Sequence, residues 1–143
     1  MIAIDTNLLV HAHRQVSSLH EEAKDCIVNL AENPAPWGIC FHSMVEFYSV
    51  VTNTRIWDIP STPLEAKDQI DAWRESPSLQ ILTDSAGDLE LLMELATQGK
   101  VQGAMIHDAR IANCCIAHGV RELWTIDRDF SRFKKLKTKN PLV

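Results

Sequence analysis

Four short apolar runs, MIAI, WGIC, LQIL and LWTI, are spread along the chain with helical stretches of ten or more residues between them. Runs this short, bounded by polar residues, read as buried strands rather than helices. Strands that alternate with helices imply parallel βαβ units, because a parallel return needs a crossover. The predicted fold is therefore α/β, a three-layer α/β/α sandwich around a small, mainly parallel central sheet of four to five strands. At 143 residues with 45% hydrophobic side chains, the expected organisation is one domain over 1–143.

Residues 1–4 read as the first strand, running into a helix from Thr6 to His13. SLHEEAKDCIVNLAE (18–32) carries Leu19, Ala23, Cys26, Ile27 and Leu30 at helical spacing, and the prolines of NPAP end it. WGICF is the second strand and HSMVEFYSVVTN the next helix. TRIWDIPSTP is the longest irregular stretch, followed by a helix PLEAKDQIDAWRE with Pro63 in its first turn. LQILT is a third strand, Ser85–Gln98 a helix, AMIHDARIANCCIAHG another, ELWTI a fourth strand, and the tail is irregular. No run of 18 apolar residues is present, which predicts no membrane span, and no secretory leader is legible before Asp5; the expected location is the cytoplasm.

In open α/β sheets, sites form at the carboxyl ends of the strands. Acidic residues follow three of the four strands: Asp5 after MIAI, Glu46 six residues past WGIC, and Asp127 after LWTI. A fourth, Asp108, lies early in the helix that places Ile111, Ala112 and Cys115 on the adjoining face. Each has a purely structural alternative. Ser43-Met-Val-Glu46 has the form of a capping box, Asp5 could cap the helix from Thr6, and Asp127 could form an Asx-turn or pair with Arg128 or Arg132. One shared cause explains all four better than four separate ones. Carboxylates brought together repel, and a divalent cation relieves the repulsion; hard oxygen donors suit Mg²⁺ or Mn²⁺. Such an ion, with positions left open for phosphate, serves phosphoryl chemistry with water as the nucleophile.

Other chemistries find less support. No Gly-rich phosphate loop, GxSxG elbow or zinc-type cysteine spacing is present, and Cys26, Cys40, Cys114 and Cys115 read as small core residues. His11 and His13 stand about 200° apart on a helix, so one ion cannot use both, and they read with His107 as surface or first-turn histidines. A signalling receiver also gathers acids at strand ends, but it needs paired acids after its first strand and a lysine after its last, where this chain has IDTN and Arg128. A net charge of −5 opposes nucleic-acid binding through the global field; RFKKLKTK supplies a local exception.

IDTNLLV, SMVEFY, HDARIAN and TIDRDFSRF, in this order and over essentially the full length, resemble the PIN-domain ribonucleases and, among them, toxins of the VapBC toxin–antitoxin type. The resemblance implies a Mg²⁺-dependent endoribonuclease, with Mn²⁺ as a substitute, that leaves a 3′-hydroxyl and a 5′-phosphate. It places the catalytic carboxylates at Asp5, Glu46, Asp108 and Asp127, with Asp5, Asp108 and Asp127 on the metal. Thr6, Asn7, Thr125 and Asp129 match supporting positions. Arg128, Arg132, Lys134 and Lys135 are the candidate RNA contacts. The implied partners are RNA, a second copy of the chain and a VapB-type antitoxin, with Trp57, Ile56 and Ile59 as a candidate antitoxin surface. A nuclease of an RNA-processing or DNA-acting PIN branch, or a non-catalytic PIN-fold module, is the alternative.

Overall fold

The computed structural model describes residues 1–143. Five strands, β1 (Ile2–Ile4), β2 (Trp37–Cys40), β3 (Leu79–Leu82), β4 (Glu122–Trp124) and β5 (Thr138–Lys139), form one sheet in the order β3-β2-β1-β4-β5. Every pairing is parallel, with Ile4 opposite Ile39 on one side and Trp124 on the other. β5 corrects the expectation of an irregular tail. Two residues carry too little pattern to read as a strand, and β5 exists because β4 offers it an edge.

Six helices cover the sheet: α1 (Thr6–His13), α2 (His20–Glu32), α3 (Phe41–Val51), α4 (Pro63–Arg74), α5 (Asp88–Gln98) and α6 (Ile106–Ala117). Side chains alternate across a strand, so each strand feeds two cores. Ile4, Trp37 and Ile39 point to the face covered by α1, α2, α3 and α4, where Leu8, Ile27, Phe47 and Trp73 join them. Ala3, Cys40, Leu82 and Leu123 point to the other face, against Leu95 of α5, Ile111 and Cys115 of α6, and Phe130 and Phe133. With both faces closed, the molecule is the three-layer sandwich that the alternation predicts.

The boundaries move by a few residues, as helix ends do. One correction bears on the site. Ser43 and Glu46 do not form a capping box: β2 passes directly into α3 with Cys40 at the cap and no side-chain cap bond, leaving Ser43 and Glu46 inside the helix. The capping box is at Thr62 and Glu65, whose side chains and backbone amides exchange bonds of 3.1 and 3.0 Å at the start of α4. Cys40, Cys114 and Cys115 are core residues as expected, whereas Cys26 is only half-buried. No helix is long and apolar enough to cross a membrane.

Candidate active site

β1 lies where the strand order turns back: β2 and β3 extend from one of its edges, β4 and β5 from the other. A crevice opens at such a point, above the carboxyl ends of the strands. There a cavity of about 250 Å³ is lined by Asp5, Thr6, Asn7, Val10, His11, Glu46, Val50, Asp108 and Asp127. All four carboxylates singled out in the sequence share it, delivered by four separate segments.

Asp5 follows the last residue of β1 and is 4% exposed. Its carboxylate has three jobs. Oδ1 accepts from the Thr6 N–H at 2.8 Å, capping α1, and Oδ2 accepts from the Thr125 hydroxyl at 2.7 Å. The third is to face the pocket. Burial pushes its pKa up to about 7 despite both bonds, and the Asp108 and Glu46 carboxylates add to the rise. Asp108, half-buried in the first turn of α6, is raised to about 6, by burial first and then by Asp127, Glu46 and Asp129. The structural alternatives and the site reading thus coexist at Asp5 and Asp127. Asp127 makes the Asx-turn, its Oδ1 accepting from the Asp129 N–H at 2.8 Å, while its carboxylate lines the cavity. It does not pair with Arg128 or Arg132.

Thr125 connects two of these acids. Its hydroxyl donates to Asp5 and accepts from the Asp127 N–H at 3.0 Å and from Asn7 Nδ2 at 3.3 Å. Thr6 ties Asp5 to a third: besides its amide bond to Asp5, its hydroxyl donates to Glu46 Oε1 at 3.2 Å. Asn7 Oδ1 is buried without a partner at the cavity wall. Asp129 is exposed, and it reaches Asp108 by repulsion rather than by lining the cavity.

The donor set fits a hard divalent ion: four carboxylates, two of them held above the usual range by burial and mutual repulsion, and an orphaned amide oxygen. As the side chains stand, no three of the Asp, Glu, His and Cys groups converge tightly enough to hold an ion between them.

Two site features escape the sequence reading. His11, set aside as a surface residue, lines the cavity, its Nδ1 2.6 Å from Ser17 Oγ. Asn7 and His11 are spaced i, i+4 on α1, and that spacing is the signal that could have found it. His13 indeed points away, toward Gln69 and Ser61. His42 sits one turn before Glu46 and is held below its usual pKa chiefly by burial. Arg128, Arg132, Lys134 and Lys135 are exposed, but Lys135 borders a separate hollow beside α5 and α6 with Leu91, Glu94 and Ile116. Trp57 packs inward, its Nε1 donating to the Val50 carbonyl and the Arg14 guanidinium over its ring, whereas Ile56 and Ile59 are exposed.

The family model of the PIN domain matches residues 2–136. The VapC ribonuclease Mb2897 of Mycobacterium bovis is 30% identical over 142 residues, 99% of this chain and 96% of that protein. Among solved structures, VapBC2 from Rickettsia felis, bound to a DNA fragment from its promoter, has a similar fold: TM-score 0.71, 22% identity, 97% of this chain and 98% of that one. Mycobacterium tuberculosis VapC20, a sarcin-ricin-loop-cleaving toxin, aligns with TM-score 0.69 and 18% identity over 92% and 93% of the chains.

Proposed function

As the chain belongs to the PIN-domain family and, within it, to the VapC ribonucleases, we propose that it is a Mg²⁺- or Mn²⁺-dependent endoribonuclease and the toxin of a type II toxin–antitoxin pair. The observation that carries this reading is the gathering of Asp5, Glu46, Asp108 and Asp127 around one open cavity, with two of them pushed well above the usual carboxylate range.

Asp5, Asp108 and Asp127 would hold the ion. When bound, Mg²⁺ or Mn²⁺ supplies a Lewis acid that favours ionised water and offsets charge on the phosphate. The chain's own residues do the rest. Thr125 and the Thr6 amide fix both oxygens of Asp5, and the Asx-turn fixes Asp127. Glu46, oriented by the Thr6 hydroxyl through Oε1, accepts a proton from the attacking water at Oε2. The water oxygen bonds to phosphorus as the P–O3′ bond breaks, and the departing O3′ takes a proton from solvent, leaving a 5′-phosphate and a 3′-hydroxyl. Arg128, Arg132 and Lys134, exposed and within seven residues of Asp127 in the chain, are proposed to contact flanking phosphates; Lys135 borders the hollow beside α5 and α6. The −5 net charge leaves attraction to these cations and the metal, so cleavage should fall steeply with salt.

The relatives' antitoxin complexes support a cognate antitoxin for this chain as well. An anionic pocket without its ion favours a guanidinium, so the inhibitor is proposed to place an arginine there. Ile56 and Ile59, exposed beside the inward-packed Trp57, are proposed to meet its apolar residues. A homodimer is the proposed assembly.

Purified chain, free of antitoxin, would be incubated with total cellular RNA in Mn²⁺ and in EDTA, alongside Asp108→Asn, with the ends mapped by sequencing. Discrete cuts that need metal and vanish in the variant support the reading and identify the RNA. A folded protein that binds Mn²⁺ and leaves the RNA intact in every lane overturns it.

A further inference from the structure

Glu46 lies on α3, more than a turn past the end of β2, and its side chain is 33% exposed. One donor, the Thr6 hydroxyl, is bonded to it. A base must be held where the proton is to be taken, and a glutamate with one anchor is free to swing toward solvent.

A second chain of contacts ends at the same oxygen. Asp84, just beyond β3, binds Arg110 of α6, Oδ2 to Nε at 2.5 Å. Arg110 Nη1 is 3.0 Å from His42 Nδ1. A guanidinium has donors only, so Nδ1 must be the bare, accepting nitrogen, and the ring proton lies on Nε2. The ring stacks on His107 of α6, with centroids 5.2 Å apart and planes at 22°, which fixes the direction of Nε2. Nε2 is buried, bonds to nothing, and faces Glu46 Oε1 at 3.7 Å. A buried N–H without an acceptor is costly, and the nearby carboxylate resolves the cost.

We infer that His42 is a positioning residue for Glu46: Asp84 holds Arg110, Arg110 fixes the His42 tautomer, and the resulting Nε2–H holds the Glu46 carboxylate in the pocket. The 3.7 Å separation gives charge–dipole attraction, and a small rotation of the glutamate makes it a hydrogen bond. With Thr6 and His42 both on Oε1, Oε2 is left free for the proton of water. The role rests on the nuclease reading, but the hold itself does not.

The test has two arms. In EDTA, ¹⁵N and ¹³C spectra of the full chain should show His42 protonated at Nε2 and bare at Nδ1. Asp84→Asn, at the exposed end of the relay, should relax it into a tautomer mixture. His42→Phe keeps the stack on His107 and removes the donor, and it should move the Glu46 carboxyl resonance. In steady-state cleavage, His42→Phe should lower kcat about tenfold with KM within about twofold, and His42→Gln, which restores an N–H, should recover most of the loss. A wild-type ring protonated at Nδ1, or a Glu46 resonance unmoved by His42→Phe, overturns the inference. So does a His42→Phe enzyme as fast as wild type. If the wild type cuts no RNA at all, the nuclease reading falls and the spectra alone decide the relay.

Discussion

Thr125 is the residue on which the geometry of two carboxylates turns. Replacing it with valine keeps the shape and removes the hydroxyl, leaving the Asp127 N–H without an acceptor and Asp5 without its shortest donor. The expected cost is about 1–3 kcal/mol of stability, read by urea denaturation, together with a further rise in the Asp5 pKa, while Thr125→Ser stays near wild type. Asp108 should behave in the opposite sense. Burial and three neighbouring carboxylates disfavour its charge, so Asp108→Asn should melt higher than wild type in EDTA and gain less from Mn²⁺. A variant that melts lower in EDTA and responds fully to Mn²⁺ would make Asp108 structural.

Helix ends decide much of what the elements do, and two of them test the division between scaffold and site. The Thr62–Glu65 box caps α4, and neither residue lines the carboxylate cavity. Thr62→Ala should therefore cost about 1 kcal/mol in thermal or chemical unfolding and leave the cleavage rate unchanged. The α1 cap is Asp5 itself, so Asp5→Ala should lose both a cap and the activity. The contrast explains what was legible in the chain. Strand-and-helix alternation shows in residue order because each element is apolar in its own period; Asp5, Glu46 and Asp127 were visible because they follow strands, and Asp108 because it is a charge beside the apolar face of its helix. The tertiary partners were not visible. Ser43 and Glu46 have the spacing of a capping box, yet the helix begins two residues before Ser43, since β2 runs straight into it. His42 and His11 look like ordinary surface residues until α6 stacks against one and the crevice opens beside the other. β5 owes its existence to an edge 15 residues upstream, Leu123 opposite Thr138, rather than to its own two residues.

For the molecule as a whole, the raised pKa values set a stability profile. Asp5 and Asp108 hold their protons more tightly folded, at about 7 and about 6, than the usual 3.8. Below pH 4 both states are protonated and the favourable contribution is fully present; as pH rises through 6 and 7 the folded acids must ionise against burial and repulsion, and it is lost. In EDTA the melting temperature should thus be higher at pH 5 than at pH 7.5, by an amount that Asp108→Asn reduces and saturating Mn²⁺ at pH 7.5 offsets. A metal-free protein whose melting temperature rises between pH 5 and 7.5 would contradict this. The sheet order has one more outcome, which concerns time. β1 is made first but needs β4, about 120 residues later, to fill its second edge, and Asp127 is delivered just after β4. During translation the emerging chain holds Asp5 and Glu46 for most of its synthesis while the last carboxylate is still unmade. No cavity with all four carboxylates can form until β4 and the residues just after it have been made, an ordering in time that arises from strand order alone.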